Sequence, residues 1–468
     1  MLLSASEIAL ATKGTLVGED TSCNGASIDS RTIQPGQLFV PIVDARDGHD
    51  FITAALAAGC AAYLTEHAPQ GGTAIVVEDT AVALRALGRA ARDQHRGPVI
   101  GITGSVGKTS VKDLTLAAVS GARAAHASEK SFNNELGVPL TLLNAPENAE
   151  VLIVEMGARG LGHIAELCEI ARPTVGIVTF VGAVHTSEFG TVQAVAAAKQ
   201  ELVEALPADG HAILNADCAP VLAMKSASRA PVTTYGAGAD IAANDVVLDD
   251  QLRPTFELVF GDSATSGQGE SSRQRQFSRQ REPSRQREPS RQGESGGHMV
   301  HLAVHGVHQV SNALAAVAAA RAVGVSTADA VQGLANVELS PWRMELGQTA
   351  TGSTVINDAY NANAISTSAA LYSLAELDAD RHVAVLGVMA ELGDRHVQDH
   401  QEIAALCHTL GVEVIAYREP AYGVDVLTDF DAVIDRLGDL GPRDAVLVKG
   451  SRVAELETVA RRLMDDSG

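Results

Sequence analysis

Apolar positions along the chain follow two rhythms. Short apolar runs at 73–77, 99–100, 151–154, 175–180 and 300–304 predict strands. Longer alanine-rich stretches between them, such as 81–96, carry apolar residues at helical spacing. Ser4-x-x-Glu7 has the form of a capping box and opens a short helix. Gly97-Pro98 breaks the first block. Beyond it strands and helices alternate, which predicts a largely parallel sheet with helices on both faces. Between 246 and 260 the segments shorten and alternate, predicting an antiparallel extension. A further block begins near 345. Its runs at 354–356, 383–386, 412–416 and 445–448 repeat the α/β rhythm, similar to a dinucleotide-binding fold but without the glycine fingerprint. The expected fold class is α/β in three domains: a small α/β domain at 1–97, a central parallel sheet at 98–344 and a Rossmann-like domain at 345–468.

One segment departs from both rhythms. Residues 261–297 repeat Ser-Arg-Gln-Arg-Glu-Pro at 278–283 and 284–289 and hold seven arginines with almost no apolar residue. Such a segment cannot bury enough surface to fold alone, so a disordered insert is expected at about 262–297. Either a solvated loop expansion or a tether for an anionic partner fits it.

Composition narrows the class. A chain of 468 residues has room for two to four domains, and 46% apolar content is ordinary for a soluble globular protein. A formal net charge of −22 argues against a general nucleic-acid-binding surface. The five cysteines are scattered without metal-ligand spacing, so reduced thiols and a cytoplasmic location are expected. Met1-Leu2-Leu3 lacks a basic leader, and no window reaches the roughly 18 apolar residues of a membrane helix.

The densest chemical signal is Gly101-Ile-Thr-Gly104-Ser105-Val106-Gly107-Lys108-Thr109-Ser110, between a strand and a helix. Such a turn aims backbone N–H groups at one point beside the positive end of a helix dipole. Lys108 adds a full charge and Thr109 a hydroxyl that can reach magnesium. Five residues, not the generic four, separate Gly101 from Gly107, but Gly104-x-x-Gly107-Lys108-Thr109 survives. A nucleoside triphosphate is the expected ligand.

Other candidates follow from placement. Glu155 ends a strand beside the loop and is either a magnesium ligand or a surface carboxylate. His185 follows the next strand and reads as a metal or phosphate contact, or as a surface histidine. Lys199 lies on an alanine-rich helix, where pattern alone predicts a solvated cation. Asp358-Ala-Tyr360-Asn361-Ala-Asn363 suits a ribose or nucleotide, or forms an Asx-rich turn. Lys449-Gly-Ser451-Arg452 offers two cations to a carboxylate or phosphate, or is a solvated basic turn.

Taken together these motifs resemble the Mur ligases of peptidoglycan synthesis over nearly the whole chain, the arginine-rich insert excepted. Asp29-Ser30-Arg31, Pro35-Gly36 and Asp47-Gly-His49-Asp-Phe51 resemble the family's uridine-nucleotide region. Residues 103–109 match the family's own phosphate loop, which accounts for the extra residue. Phe132-Asn133-Asn134-Glu135-Leu-Gly137 and Asp358 to Asn363 resemble the branch that adds D-alanyl-D-alanine to UDP-N-acetylmuramoyl-tripeptide, more than the branches with other acceptors or the folylpolyglutamate synthases. Glu391-Leu-Gly393 and 449–452 complete the match.

The resemblance implies an ATP- and magnesium-dependent amide ligase that acts as a monomer. It implies Lys108, Lys199 and His185 as catalytic, and Thr109, Glu155, His185 and Lys199 as metal-binding, with Lys199 carbamylated by CO₂. Residues 104–110, Asn312, Arg343, Asp358, Tyr360 and Asn361 are then nucleotide contacts. Ser30, Arg31, Asn133, Asn134, Asn363, Lys449, Ser451 and Arg452 are substrate contacts. Gln309, Trp342, Ala364 and Val388 depart from the family's usual asparagine, glycine, proline and aspartate.

Overall fold

The computed structural model describes residues 2–129, 131–182, 189–261 and 297–465. The arginine-rich repeats lie outside the described residues. Three principal sheets occupy 15–76, 99–301 and 345–449. In the first, the strands Ala74–Val76, Ala62–Thr65, Leu38–Phe39 and Ala26–Ser27 run parallel, with Thr15–Val17 antiparallel at one edge. The capping box at Ser4 and Glu7 forms as expected and starts the helix Ala5–Thr12.

The helix Thr80–Gln94, capped by Asp79, is the joint between the first two units. Its Leu84, Leu87 and Ala91 share one buried cluster with Val138, Leu142, Ile164 and Ile170 of the central unit. Gly88 sits where this helix meets Pro139, and a Cβ there would lie 2.8 Å from the Pro139 Cβ. The glycine costs helix stability of about 1 kcal/mol against alanine, and the close helix approach requires it.

The central sheet has nine strands, in the order 298–301, 254–260, 241–248, 232–235, 211–215, 175–178, 99–103, 151–155, 125–127. It is parallel from Ala125–Ala127 to Ile241–Leu248, and the last two strands add antiparallel. All five residues of Val99–Thr103 are buried, as befits a strand covered by helices on both faces. Strand pairing stops at His301 although the apolar run continues; Leu302 and Val304 are buried outside the ladder.

Val99–Thr103 lies between Val175–Val178 and Val151–Glu155. The chain leaves it first towards one side and later returns on the other. Its carboxyl end is therefore a topological switch point, where flanking loops diverge and leave a crevice. The third sheet is parallel apart from the edge strand Glu345–Gln348. There Asp444–Lys449 inserts between Thr354–Asn357 and Arg381–Leu386, so the loops after these three strands gather at one end. Among the described residues no helix is long and apolar enough to cross a membrane.

Candidate active site

A cleft of about 1130 Å³ opens at the switch point of the central sheet and is closed on its far side by loops of the third unit. The phosphate loop forms its floor. Gly104 (φ +151°) and Gly107 (φ +83°) take backbone conformations that favour glycine. At Gly104 there is also no room: a Cβ would lie 2.0 Å from the Thr179 Oγ1. Thr179 in turn donates to the Val106 carbonyl at 2.6 Å, and Phe180 accepts from the Ser105 N–H at 2.7 Å. The neighbouring strand end thus clamps the loop in shape. Gly107 caps the helix Lys108–Ser120, whose free N–H groups face the cleft. Lys108 folds back to donate to the Gly104 carbonyl at 2.7 Å. Burial, with Arg343 nearby, lowers its pKa, while Glu155 and Glu391 oppose the shift.

Glu155 is buried (1% exposed) rather than a surface carboxylate. Its Oε2 accepts from the Thr109 hydroxyl at 2.7 Å and its Oε1 from the Asn133 amide at 2.8 Å. Asn133 belongs to the 132–137 segment singled out in the sequence, and Asn134 holds the Gly137 N–H at 2.9 Å. Lys199, on the helix Val192–Ala205, lies in the same cleft at 3% exposure. Pattern alone predicted a solvated cation. Burial first, then the nearby Lys108 charge, brings its pKa down to about 7, with Glu201 opposing.

The opposite wall comes from the third unit and its connector. Arg343 donates to the Thr109 hydroxyl at 2.9 Å and stacks on the Tyr360 ring at 4.2 Å. Lys449 is 2% exposed and ion-paired with Asp358; it also donates to the Asn361 carbonyl at 2.9 Å. A buried basic residue held this way is not a solvated turn. Ser451 accepts from the Ala390 N–H at 2.9 Å, tying together the loops after two strands. His308 faces the cleft with a buried Nδ1 that has no hydrogen-bond partner among the described residues, and burial lowers its pKa.

The cleft gathers Ser105 to Ser110, Asn133, Asn134, Glu155, Lys199, Asn312, Arg343, Asp358, Tyr360, Asn361, Asn363, Lys449, Ser451 and Arg452. Gly104 stands just behind its lining. Ser30 and Arg31 do not line it. Arg31 instead folds onto Asp29 through a bidentate pair at 2.7 and 2.9 Å, and Ile28 is the first unit's contribution to the wall. His185 lies outside the described residues. Asn363 has a local task as well, capping the helix Ala364–Glu376 with Ser366 returning the bond. Thr179, His308 and Asn215 also belong to the cleft and were missed as site residues. Thr179 and Asn215 follow or end strands at the same edge as Glu155, so the switch-point rule could have found them.

A phosphate loop at a switch point, backed by a buried carboxylate and lysine and faced by a second α/β unit, defines a phosphate-loop enzyme whose cleft is shared by two units. Comparison with known proteins is more specific. The Mur ligase middle domain matches residues 102–320, and the Mur ligase glutamate ligase domain matches 342–452. The chain is 36% identical to the UDP-N-acetylmuramoyl-tripeptide–D-alanyl-D-alanine ligase of Mycobacterium tuberculosis (strain ATCC 25618 / H37Rv), covering 94% of this chain and 91% of that one. It is 33% identical to the enzyme of that name from Bacillus subtilis (strain 168), covering 85% and 81%. The crystal structure of MurF from Acinetobacter baumannii superposes with a TM-score of 0.82 at 27% identity over 99% of both chains. The chain belongs to the Mur ligase family.

Proposed function

We propose that this chain is the ATP-dependent ligase that joins D-alanyl-D-alanine to UDP-N-acetylmuramoyl-tripeptide in the cytoplasm. The observation that carries the reading is the convergence of Lys108, Thr109, Glu155 and Lys199 in one cleft, faced by Arg343 and Lys449. Relatives with that activity in their names cover most of the chain. In this reading the segments 1–97, 98–344 and 345–468 hold the uridine nucleotide, ATP and the dipeptide side respectively, with Ser30 and Arg31 on the first.

A free carboxylate is a poor electrophile. In the proposed reaction the tripeptide's terminal carboxylate attacks the γ-phosphorus of ATP, and the bond to ADP breaks. The amine of D-alanyl-D-alanine then attacks the acyl carbon of the acyl phosphate, loses a proton, and phosphate leaves. Two anions must meet in the first step. Lys108 and Arg343 offset that repulsion, and the backbone N–H groups of 105–110 orient the phosphates.

The oxygen-rich set around Thr109 and Glu155 suits a hard cation. Magnesium, when bound there, supplies further charge neutralisation on the transferring group. Lys199 fits the carbamate role because a pKa of about 7 leaves much of its amine neutral, the form that attacks CO₂. The amine nitrogen bonds to the carbon, a proton is lost, and a cation becomes an anion able to face the metal.

The test is phosphate release with each substrate omitted in turn, using tripeptides with diaminopimelate or lysine third. Release should require both the tripeptide and D-alanyl-D-alanine, and Lys108→Ala should abolish it in a folded protein. Release independent of the dipeptide, or turnover by Lys108→Ala, would overturn the assignment.

A further inference from the structure

Trp342, the chain's one tryptophan, lies at the connector between the central and third units and does not line the cleft. Its backbone φ is +62°, a conformation that favours glycine and is strained for a bulky side chain. Its indole sits in a stack of four groups. The Arg452 guanidinium lies 4.5 Å over the indole, and the indole faces the Tyr360 ring at 6.5 Å with a 30° tilt. The Arg343 guanidinium lies 4.2 Å over the Tyr360 ring. Tyr360 donates its N–H to the Trp342 carbonyl at 3.2 Å, and its hydroxyl meets Ser131 of the central unit.

Both arginines line the cleft; both aromatic rings are what they rest on. Arg343 reaches the Thr109 hydroxyl at the phosphate loop. Arg452 has a half-exposed side chain and, among the described residues, an ion pair with Glu457. Without the indole, Glu457 is the charged partner left among the described residues to set its direction.

We infer that Trp342 is a positioning residue of this ligase: it holds Arg452 directly, and Arg343 through Tyr360, in the orientation the cleft uses. It touches neither reacting group. The inference rests on the ligase reading, since wild-type turnover is its baseline.

Glycine separates positioning from folding, because it removes the ring and relieves the backbone at the same residue. The experiment compares full-length wild type, Trp342→Gly, Trp342→Phe, Arg452→Ala and Trp342→Gly/Arg452→Ala in steady-state kinetics and thermal unfolding. Trp342→Gly should unfold no lower than wild type yet lose about tenfold in kcat/KM for D-alanyl-D-alanine, the scale of partly desolvated cation–π contacts. Phenylalanine should restore most of it. In the Arg452→Ala background the glycine change should cost much less, since its chief partner is gone. Unchanged kcat/KM in Trp342→Gly, no rescue by phenylalanine, or an undiminished loss in the Arg452→Ala background would each overturn the inference. Wild type without turnover would instead overturn the ligase reading.

Discussion

Replacing Lys199 by methionine should stabilise the free protein below neutral pH while destroying its activity. The amine titrates at about 7 in the fold, against 10.5 for an ordinary lysine. That difference corresponds to about 5 kcal/mol held against the fold when the amine is charged, an upper bound because relaxation and water entry reduce it. Its causes are burial and the nearby Lys108. Glu201 cannot neutralise it fully, since its carboxylate accepts from the Gly162 and Ala165 N–H groups at 2.6 and 3.0 Å. The sign follows from proton counting. Between about pH 7 and 10.5 the unfolded chain binds the proton and the folded chain does not, so stability rises with pH across that window. Below pH 7 both states are protonated and the full penalty stays. Methionine is similar in length and carries no charge. In CO₂-free buffer the Lys199→Met variant should therefore unfold several degrees above wild type at pH 6. That advantage should shrink as pH rises towards 10.5. Thermal unfolding followed by circular dichroism across pH measures both curves. Bicarbonate should raise the wild-type midpoint above pH 7 and leave the variant alone. Parallel curves with no change in their separation would refute the argument that Lys199 is a penalised buried amine.

Two further substitutions probe the floor and the far wall. Gly104→Ala places a methyl against Thr179 in a backbone conformation that favours glycine, so ADP affinity by calorimetry should fall at least about tenfold; wild-type affinity would contradict the clamped loop. Asp358→Asn leaves the buried Lys449 ammonium without its carboxylate and should destabilise the third unit by about 3–5 kcal/mol in urea unfolding; an unchanged midpoint would show that the pair contributes nothing.

Features built from contiguous residues were the most legible in the sequence. The phosphate loop needs glycines, lysine and threonine in one order between a strand and a helix, and that order is local. Glu155 was legible because strand ends at a switch point face one crevice. Burial was less legible. Lys199 shares one helix face with the buried Val195, Leu202 and Val203, but no local signal shows that Lys108 stands near it. Arg31 is expected from the resemblance as a substrate contact, and the fold pairs it bidentately with Asp29, two residues away. The capping by Asn363 was available from local rules: an asparagine before a helix takes the N-cap, and Ser366 sits where it can answer. The stack on Trp342 joins residues far apart in the chain, and only the fold brings them into contact.

The charges in the cleft imply a coupling between ligand binding and closure. Arg343 helps lower the pKa of Lys108, and Lys108 helps lower that of Lys199. Arg343 comes from the connector at the closing wall, whereas both lysines belong to the floor. Bringing the wall down therefore adds a cation beside Lys108 and the partly charged Lys199, against the buried Glu155. The Arg343 bond to Thr109 and the contact of Tyr360 with Ser131 favour closure, but cation repulsion opposes it. A polyanionic nucleotide reverses the sign of that repulsion, because each cation then faces phosphate. The proposed carbamylation of Lys199 would act in the same direction by placing an anion where the ammonium stands. In the proposed reaction nucleotide loading would therefore favour closure electrostatically, and Lys108 and Arg343 stand beside the phosphate loop, where charge would build up during phosphoryl transfer.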